Sequence, residues 1–276
     1  MSLLPRKLVS VAFVSSVILA GPALAAQESG GHATASSSNP SGPNAHWSYS
    51  GSQGPANWGE LSTAYELCKT GKQQSPVDIS HPQQAGLAVI KTDYRAVPLH
   101  VVNNGHTIQV NYPDGSTMSV GNSKYQLLQL HFHSPSENTA KGSAYPMEIH
   151  YVHKDEDGRL GVLAVFMKEG NKNVGLQEIW AYMPKSGGSE FKSNDVVING
   201  HDLLPQNRDY FRFVGSLTTP PCSEGVQWHV MREPVEASRS QIDAFLKVIG
   251  ENARPVQPIG NRLLIDSAYG KGGSSH

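Results

Sequence analysis

The most informative segment of the sequence is Gln129-Leu130-His131-Phe132-His133. In a β-strand, successive side chains point to opposite faces. One face of this strand would then carry Gln129, His131 and His133. The other face, which we expect to lie in the core, would carry Leu128, Leu130 and Phe132. At a rise of roughly 3.3 Å per residue, the two histidines would lie about 6.6 Å apart at Cα. Both imidazoles can then reach one zinc ion at about 2.0–2.1 Å.

A second segment, residues 147–153, alternates in the same way. Glu148 and His150 fall on one face, so His150 is the candidate third ligand, whereas His153 falls on the opposite face. Three neutral imidazoles leave the fourth tetrahedral position for water, which is the arrangement of a catalytic zinc site rather than a closed structural one. The two segments therefore predict one catalytic Zn²⁺ per chain.

Polar residues precede two of the proposed ligands. Gln129 stands two residues before His131, and Glu148 stands two residues before His150. A metal-bound histidine usually donates its other ring N–H to a carboxylate, amide or carbonyl, which sets its tautomer. Because side chains two residues apart on a strand share a face, we expect Gln129 and Glu148 to orient the ligand histidines.

Two other interpretations remain open on these residues alone. His131, His133 and Glu137 resemble part of the metal motif of the cupins, whose ligands often hold iron or manganese, and would indicate a metal-dependent oxygenase. That interpretation leaves Glu148 and His150 without a role, and the later cupin element is missing. The other alternative is a non-enzymatic, exported zinc-binding protein.

The ends of the chain differ in composition from its middle. Residues 1–25 read as a secretory signal peptide, with Arg6 and Lys7 before a largely apolar run and Ala23-Leu24-Ala25 at the cleavage site. That run is shorter than the ~20 residues that span a membrane. Residues 26–45, mostly Gly, Ser, Pro, Asn and Ala, predict a flexible linker. We expect one domain over 46–268 and a C-terminal tail over 269–276.

Charge and cysteine content indicate the compartment and exclude some partners. Without its first 25 residues, the chain's formal net charge falls from −1 to −3, which argues against nucleic acid or an anionic membrane as a partner. The two cysteines, Cys68 and Cys222, favour a disulfide over two free thiols in an exported protein. We therefore expect an exported protein that is not inserted in the membrane, with the periplasm as its compartment if the chain is bacterial.

Short alternating runs separated by turn signals dominate the middle of the chain. Asn103-Asn104-Gly105 and Pro113-Asp114-Gly115 are hairpin or turn signals. Strands are predicted over 125–133, 148–153, 160–167, 210–214 and 226–231. The best helix candidate is 238–249, whose apolar residues fall on one face. Because no alternation of strands with helices appears, we expect a mainly β (α+β) domain with a largely antiparallel sheet and short peripheral helices.

From His46 to about Ser267, the chain resembles an α-class carbonic anhydrase, and its N-terminus and cysteine pair resemble the exported bacterial type. The resemblance rests on motifs that occur in the family's order. They are Gln74-Ser75-Pro76-Val77-Asp78-Ile79, Asn103-Asn104-Gly105-His106, Gln129-Leu130-His131-Phe132-His133, Ser136-Glu137-Asn138-Thr139, Glu148-Ile149-His150, Gly215-Ser216-Leu217-Thr218-Thr219-Pro220-Pro221 and Arg254-Pro255.

The resemblance implies a central twisted, mostly antiparallel sheet of about ten strands, with zinc at the bottom of a conical cleft. It implies zinc-bound hydroxide that hydrates carbon dioxide reversibly to bicarbonate and a proton. The implied zinc ligands are His131, His133 and His150. Their implied supports are Gln129, Glu148 and the backbone carbonyl of Asn252.

The resemblance also implies roles around the zinc. Glu137 and Thr218 match the pair that orients the hydroxide, and His106 matches the proton shuttle. The side chains that match water-ordering residues between zinc and the shuttle are Tyr49, Asn104 and Thr219. The implied carbon dioxide pocket is formed by Val152, Val162, Leu217, Val226 and Trp228, with Thr219 at its mouth. Gln109 and Ser134 depart from the animal enzymes, which usually have Asn and Trp there. A homodimer is left open.

Overall fold

A computed structural model describes residues 45–268 of the chain. The predicted signal peptide, all of the predicted linker except Ala45, and the predicted C-terminal tail lie outside these residues. The strands are β1 (Asp78–Ile79), β2 (Gln83–Gln84), β3 (Ile90–Asp93), β4 (Val97–Asn103), β5 (Ile108–Asn111), β6 (Thr117–Val120), β7 (Ser123–His133), β8 (Thr139–Ala140), β9 (Ser143–Ala144), β10 (Met147–Lys154), β11 (Leu160–Glu169), β12 (Ser189–Ile198), β13 (Tyr210–Ser216), β14 (Glu224–Met231), β15 (Val235–Ala237) and β16 (Ile265–Asp266).

The helices are short; the first two precede all strands, and the other two lie between strands. The α-helices are α1 (Trp58–Leu61), α2 (Leu67–Thr70), α3 (Val174–Ala181) and α4 (Arg239–Ile249), and 3-10 turns span Gly51–Gln53, Thr63–Tyr65 and Gly200–Leu203. Within residues 45–268, no helix has the length and apolar character needed to cross a membrane. The prediction of a mainly β domain with short peripheral helices is confirmed.

One large sheet organises the described residues. Its main path runs β12-β4-β5-β7-β10-β11-β14-β13-β16-β2, and β3, β6 and β15 extend it to thirteen strands. The pairings along the path are antiparallel except for β11 with β14 and β16 with β2. A small second sheet joins β1, β8 and β9. The mostly antiparallel sheet is therefore confirmed, with more strands than the ten expected.

The central strands bring the two histidine segments side by side. β7 and β10 pair antiparallel, with His150 opposite His131 and Glu148 opposite His133. Directly opposed residues of such a pair have Cβ atoms roughly 4.5–5.5 Å apart and share a face. The strand register therefore gathers all three histidines on one face of the sheet.

The expectation that Leu128 belongs to the core is wrong. The register between β7 and β10 shifts so that Gln129 pairs with Val152 whereas Leu127 pairs with His153. This β-bulge leaves Leu128 without a partner in the ladder, and the alternation of side chains changes there. Leu127 is fully buried as a result, whereas Leu128 is only half-buried. Leu130 and Phe132, beyond the bulge, are buried as expected.

The core lies on both faces of the sheet. Along β11, Leu163, Val165 and Met167 join one apolar cluster. The alternate residues Val162, Ala164 and Phe166 join a second cluster on the other face. This continuous apolar run is what a strand buried on both faces requires. Burial on both sides gives the strands around the histidines a rigid support.

Helix α4 confirms the predicted helix over 238–249. Ser238 is the N-cap, and its side chain and that of Gln241 each bond the other's backbone N–H, forming a capping box. Ile242 and Phe245 are buried, and Leu246 and Ile249 pack against the same cluster. The predicted disulfide is also present, joining Cys68 at α2 to Cys222 in the loop before β14.

Candidate metal centre

Three histidines form a cluster on the face of β7 and β10. Each of His131, His133 and His150 offers one ring nitrogen, and these three atoms lie within 4.8 Å of one another. His133 and His150 are buried, whereas His131 is half-buried. The predicted trio is therefore brought together. His153 lies on the opposite face, where its Nε2 contacts the Tyr94 hydroxyl at 2.8 Å.

Two of the three histidines are held by a hydrogen bond at Nδ1. His131 Nδ1 lies 2.8 Å from Gln129 Oε1. His133 Nδ1 lies 2.8 Å from the backbone oxygen of Asn252. These acceptors require the N–H on Nδ1 and leave Nε2 with its lone pair.

His150 has the opposite orientation. Its Nε2 lies 3.3 Å from Glu148 Oε1 in an ion-pair contact rather than a hydrogen bond, and Nδ1 is the nitrogen left for a metal. The three partners expected from the sequence therefore contact three different ligands. The hydrogen bonds from His131 and His133 fix the orientations of those two rings.

The cluster favours neutral imidazoles. Burial, and the nearby His133 and His150, lower the pKa of His131 well below its usual value. Burial and His133 do the same for His150. Burial lowers the pKa of His133 to about 4. A metal ligand must be unprotonated, so all three rings are in the ligand form at neutral pH.

The residues fit a zinc ion. His133 Nε2 is buried and has no hydrogen-bond partner among the described residues. A buried polar atom of this kind requires a partner such as an ion or water. Three imidazole nitrogens without a thiolate are the ligand set of a catalytic zinc site that keeps an open position.

Glu137 lies beside the cluster but is not part of the ligand group. Its Oε2 is 3.4 Å from His133 Nε2, and its Oε1 accepts the Arg254 backbone N–H at 2.9 Å. Burial raises the pKa of Glu137 to about 8, and hydrogen bonds from Arg254 and then from the Thr218 side chain oppose that rise. Glu137 and Thr218 are therefore neighbours, as the family resemblance implied.

The family model for eukaryotic-type carbonic anhydrases matches residues 53–268. The chain belongs to the α-class carbonic anhydrase family. It is 46% identical over 235 residues to a carbonic anhydrase of Neisseria gonorrhoeae, covering 84% of this chain and 92% of that one. A carbonic anhydrase of Nostoc sp. is 42% identical over 229 residues, covering 80% and 86%.

Solved carbonic anhydrases share the fold. The α-carbonic anhydrase of Thermovibrio ammonificans, in complex with sulfanilamide, superposes with a TM-score of 0.78 at 48% identity and covers 80% of this chain and 99% of that one. A hyperthermostable carbonic anhydrase from a hydrothermal vent chimney gives 0.78 at 49% identity with the same coverage. These relatives favour neither the cupin-like oxygenase nor the non-enzymatic zinc-binding protein.

An apolar wall of this carbonic anhydrase stands next to the histidines. Val162, Val226 and Trp228 are buried in one cluster. The half-buried Val152 and Leu217 pack against it. The Trp228 ring meets the His150 ring edge-on, with centroids 5.0 Å apart. The structure thus gathers the five predicted apolar pocket residues in one cluster, which meets His150 through Trp228.

The predicted proton shuttle lies at the turn between β4 and β5. The His106 ring stacks on Trp47, with centroids 3.7 Å apart and planes 9° apart. It also meets Tyr49 edge-on at 6.5 Å. Burial and His46 lower the pKa of His106. Asn104 Oδ1 accepts the backbone N–H of His106 at 2.9 Å, so this side chain holds the turn itself.

The loop that carries Thr218 and Thr219 is tied to the disulfide. The Thr219 carbonyl accepts the backbone N–H of Cys222 at 2.8 Å. Arg254, which is buried, donates from Nη2 to the Cys68 carbonyl at 2.9 Å and from Nη1 to Gln74 Oε1 at 2.8 Å. One arginine thus contacts the disulfide through its side chain and Glu137 through its backbone.

Three residues that support the site had no role predicted from the sequence. Asn138 donates to both oxygens of Glu148, from its backbone N at 2.9 Å and from Nδ2 at 2.7 Å. Arg254 bridges Glu137 to the disulfide, and Trp47 supports the His106 ring. Asn138 and Arg254 stand within the quoted family motifs, but their motif positions alone do not indicate these contacts.

Proposed function

We propose that this chain is a zinc-dependent carbonic anhydrase that interconverts carbon dioxide plus water with bicarbonate plus a proton. The observation that carries the proposal is three neutral imidazoles that converge beside an apolar wall, with Glu137 and Thr218 at the same place. Each turnover consumes one water and releases one proton, so the site must place a water, receive an apolar gas and export a proton.

His131 Nε2, His133 Nε2 and His150 Nδ1 would hold the zinc. When bound, zinc supplies Lewis-acid chemistry that lowers the pKa of water to about 7. Gln129, Asn252 and Glu148 hold the three rings in place. Such supports typically change metal affinity or activity by about 10–100-fold.

Glu137 and Thr218 orient the attacking oxygen. In the ionised form, the carboxylate of Glu137 accepts a hydrogen bond from the Thr218 O–H, which leaves Thr218 Oγ1 free to accept a hydrogen bond from the O–H of the nucleophile. A divalent cation nearby favours the ionised form of Glu137, countering the burial that raises its pKa. The nucleophile then presents a lone pair to the carbon atom. Orientation of this kind contributes to rate rather than to binding.

The apolar wall receives carbon dioxide. The gas has no net charge, so Val162, Val226 and Trp228 hold it by contact and by exclusion of water. Bicarbonate is charged and gains little from this wall, which favours its release. Thr219, half-exposed and next to Thr218, stands at the entrance.

His106 carries the proton out. An imidazole whose pKa lies below neutral releases a proton readily to buffer. Its ring lies on Trp47 and faces Tyr49 at the edge of the site. We propose that Tyr49, Asn104 and Thr219 order the waters between the zinc and His106.

The other expectations also remain part of the proposal. We propose export with removal of residues 1–25, a linker over 26–45, a periplasmic location without membrane insertion, and a catalytic domain over 46–268. The disulfide supports an oxidising compartment. N-terminal sequencing of periplasmic material tests the cleavage, and light scattering of the purified protein tests for a homodimer.

The decisive experiment measures zinc content and carbon dioxide hydration on the purified mature protein. We expect about one zinc per chain, activity by stopped flow, and loss of both after chelation with recovery on adding zinc. Iron or manganese as the activating metal, or stoichiometric zinc without hydration activity, contradicts the proposal.

A further inference from the structure

A second polar site lies on the other side of the strand that borders the metal cluster. On β14, Trp228 faces His150, and the next residue, His229, points to the opposite face. His229 is 2% exposed and lines a cavity of about 240 Å³. Its Nδ1 is buried without a hydrogen-bond partner among the described residues. The mechanism uses neither this histidine nor this cavity.

The cavity is built by facing residues of β13 and β14. Arg212 stands directly opposite His229 in the antiparallel register. Its Nη2 donates to Gln227 Oε1 at 3.2 Å, and both side chains line the cavity. The Tyr210 ring packs beside His229, with centroids 5.5 Å apart. The remaining lining residues are Leu87, Ala88, Val120, Ser123 and Tyr125.

The charge of this lining is positive. Arg212, always protonated, carries a fixed charge, and none of the nine described lining residues is acidic. In the part of the chain that the structure describes, Arg212 contacts Gln227 but forms no ion pair with a carboxylate. A half-buried arginine without a carboxylate partner attracts an anion.

His229 adds a neutral group to this charge. Burial, and then the neighbouring Arg212, lower the pKa of His229 to about 4. At neutral pH its ring therefore has one N–H donor and one acceptor nitrogen. An anion that contacts both residues gains most if it also carries an O–H group that the ring can accept.

We propose that this cavity, the Arg212–His229 site, binds a small oxyanion that carries an O–H group, and that the anion is hydrogencarbonate. The planar fork of a guanidinium matches the two oxygens of a planar carboxylate. The O–H of hydrogencarbonate would donate to the His229 ring. The choice of hydrogencarbonate among such anions rests on the proposed function, because the proposed reaction produces hydrogencarbonate. The binding geometry at Arg212 and His229 does not depend on the proposed function.

The test follows the ring nitrogens of His229 by NMR in the zinc-loaded protein. The resonances are assigned through contact with the Tyr210 ring, so no variant at position 229 is needed. Hydrogencarbonate, formate and phosphate are titrated separately at constant ionic strength. Formate is the matched probe, since it has the planar carboxylate but no O–H. The rings of His131, His133 and His150 report separately on binding at the metal.

We expect hydrogencarbonate to move the His229 resonances saturably in the millimolar range, and to bind at least about tenfold more tightly than formate, since a hydrogen bond is lost. Arg212→Gln should weaken the binding of hydrogencarbonate by about tenfold or more. The control Arg239→Gln removes an exposed arginine far along the chain, on α4, and should leave the titration unchanged.

Three outcomes would overturn the proposal. His229 resonances that do not move, or that move equally with formate, exclude an O–H oxyanion site. Equal titrations in wild type and Arg212→Gln exclude the guanidinium as the anchor. Phosphate binding more tightly than hydrogencarbonate excludes the product as the ligand. Because the metal-site histidines are monitored separately, failure here is distinct from failure of the proposed function.

Discussion

Removal of the Asn138 side chain should weaken both the fold and the zinc site. In Asn138→Ala, Glu148 loses the Nδ2 hydrogen bond of 2.7 Å, and the Val77 backbone N–H loses its acceptor, Asn138 Oδ1, at 3.1 Å. A hydrogen bond to a charged group contributes about 1.5–3 kcal/mol, and an unsatisfied buried N–H costs about 1–3 kcal/mol. Asn138 and Glu148 are fully buried, so water cannot replace these bonds.

The expected cost is therefore about 2.5–6 kcal/mol of unfolding free energy. Because Glu148 is also less firmly held beside His150, zinc affinity should fall by about 10–100-fold. Urea denaturation of the zinc-free protein measures the first quantity. Competition with a chelator measures the second, independently of activity.

Asn171→Ala is the matched control. Asn171 Nδ2 donates to a Glu236 carboxylate oxygen at 2.7 Å, the same distance and the same pair of groups as in Asn138–Glu148. The difference is that Asn171 is exposed. Water can hydrogen-bond to the groups that Asn171→Ala exposes, so the loss of unfolding free energy should stay below about 1 kcal/mol. Zinc affinity should be unchanged. If Asn138→Ala costs no more than Asn171→Ala and keeps its zinc, the argument from burial is refuted.

Other substitutions test the rest of the site. His150→Ala should lose zinc and activity, because a third of the protein ligands is removed. Metal analysis should find that His153→Ala keeps its zinc. The reverse pattern would show that the predicted strand register is wrong. His106→Ala should keep zinc but turn over slowly in weak buffer, and added imidazole should restore much of the rate. A loss of turnover rate that imidazole does not restore contradicts the role of His106 as proton shuttle. Thr218→Ala should lose rate that no buffer returns. Replacing both cysteines by serine should lower the melting temperature. Reductant should lower the melting temperature of the wild type but not that of the double variant. Free thiols in periplasmic material would disprove the disulfide.

Local geometry explains which parts of the site could be predicted from sequence. The alternation of side chains along a strand is independent of the rest of the fold. It therefore predicted that His131 and His133 share a face and that His150 and His153 do not. The helix over 238–249 was equally accessible, because its capping box and apolar spacing lie within a dozen residues. Thr218 is different: in isolation its motif indicates only a turn, and its role came from the family resemblance.

Residue type and a two-residue period were enough to predict three features from the sequence. These are the ligand trio, the side chains next to two of the ligands, and the strand-rich class of the fold. Only the tertiary structure decided the bulge that excludes Leu128 from the core, because strand register depends on the partner strand. The carbonyl that holds His133 comes from Asn252, 119 residues away. The hydrogen bonds that hold Glu148 come from Asn138 and depend on how the segment before β8 packs against β10. Contacts between distant segments have no period in the sequence, so they become visible only when the chain has packed.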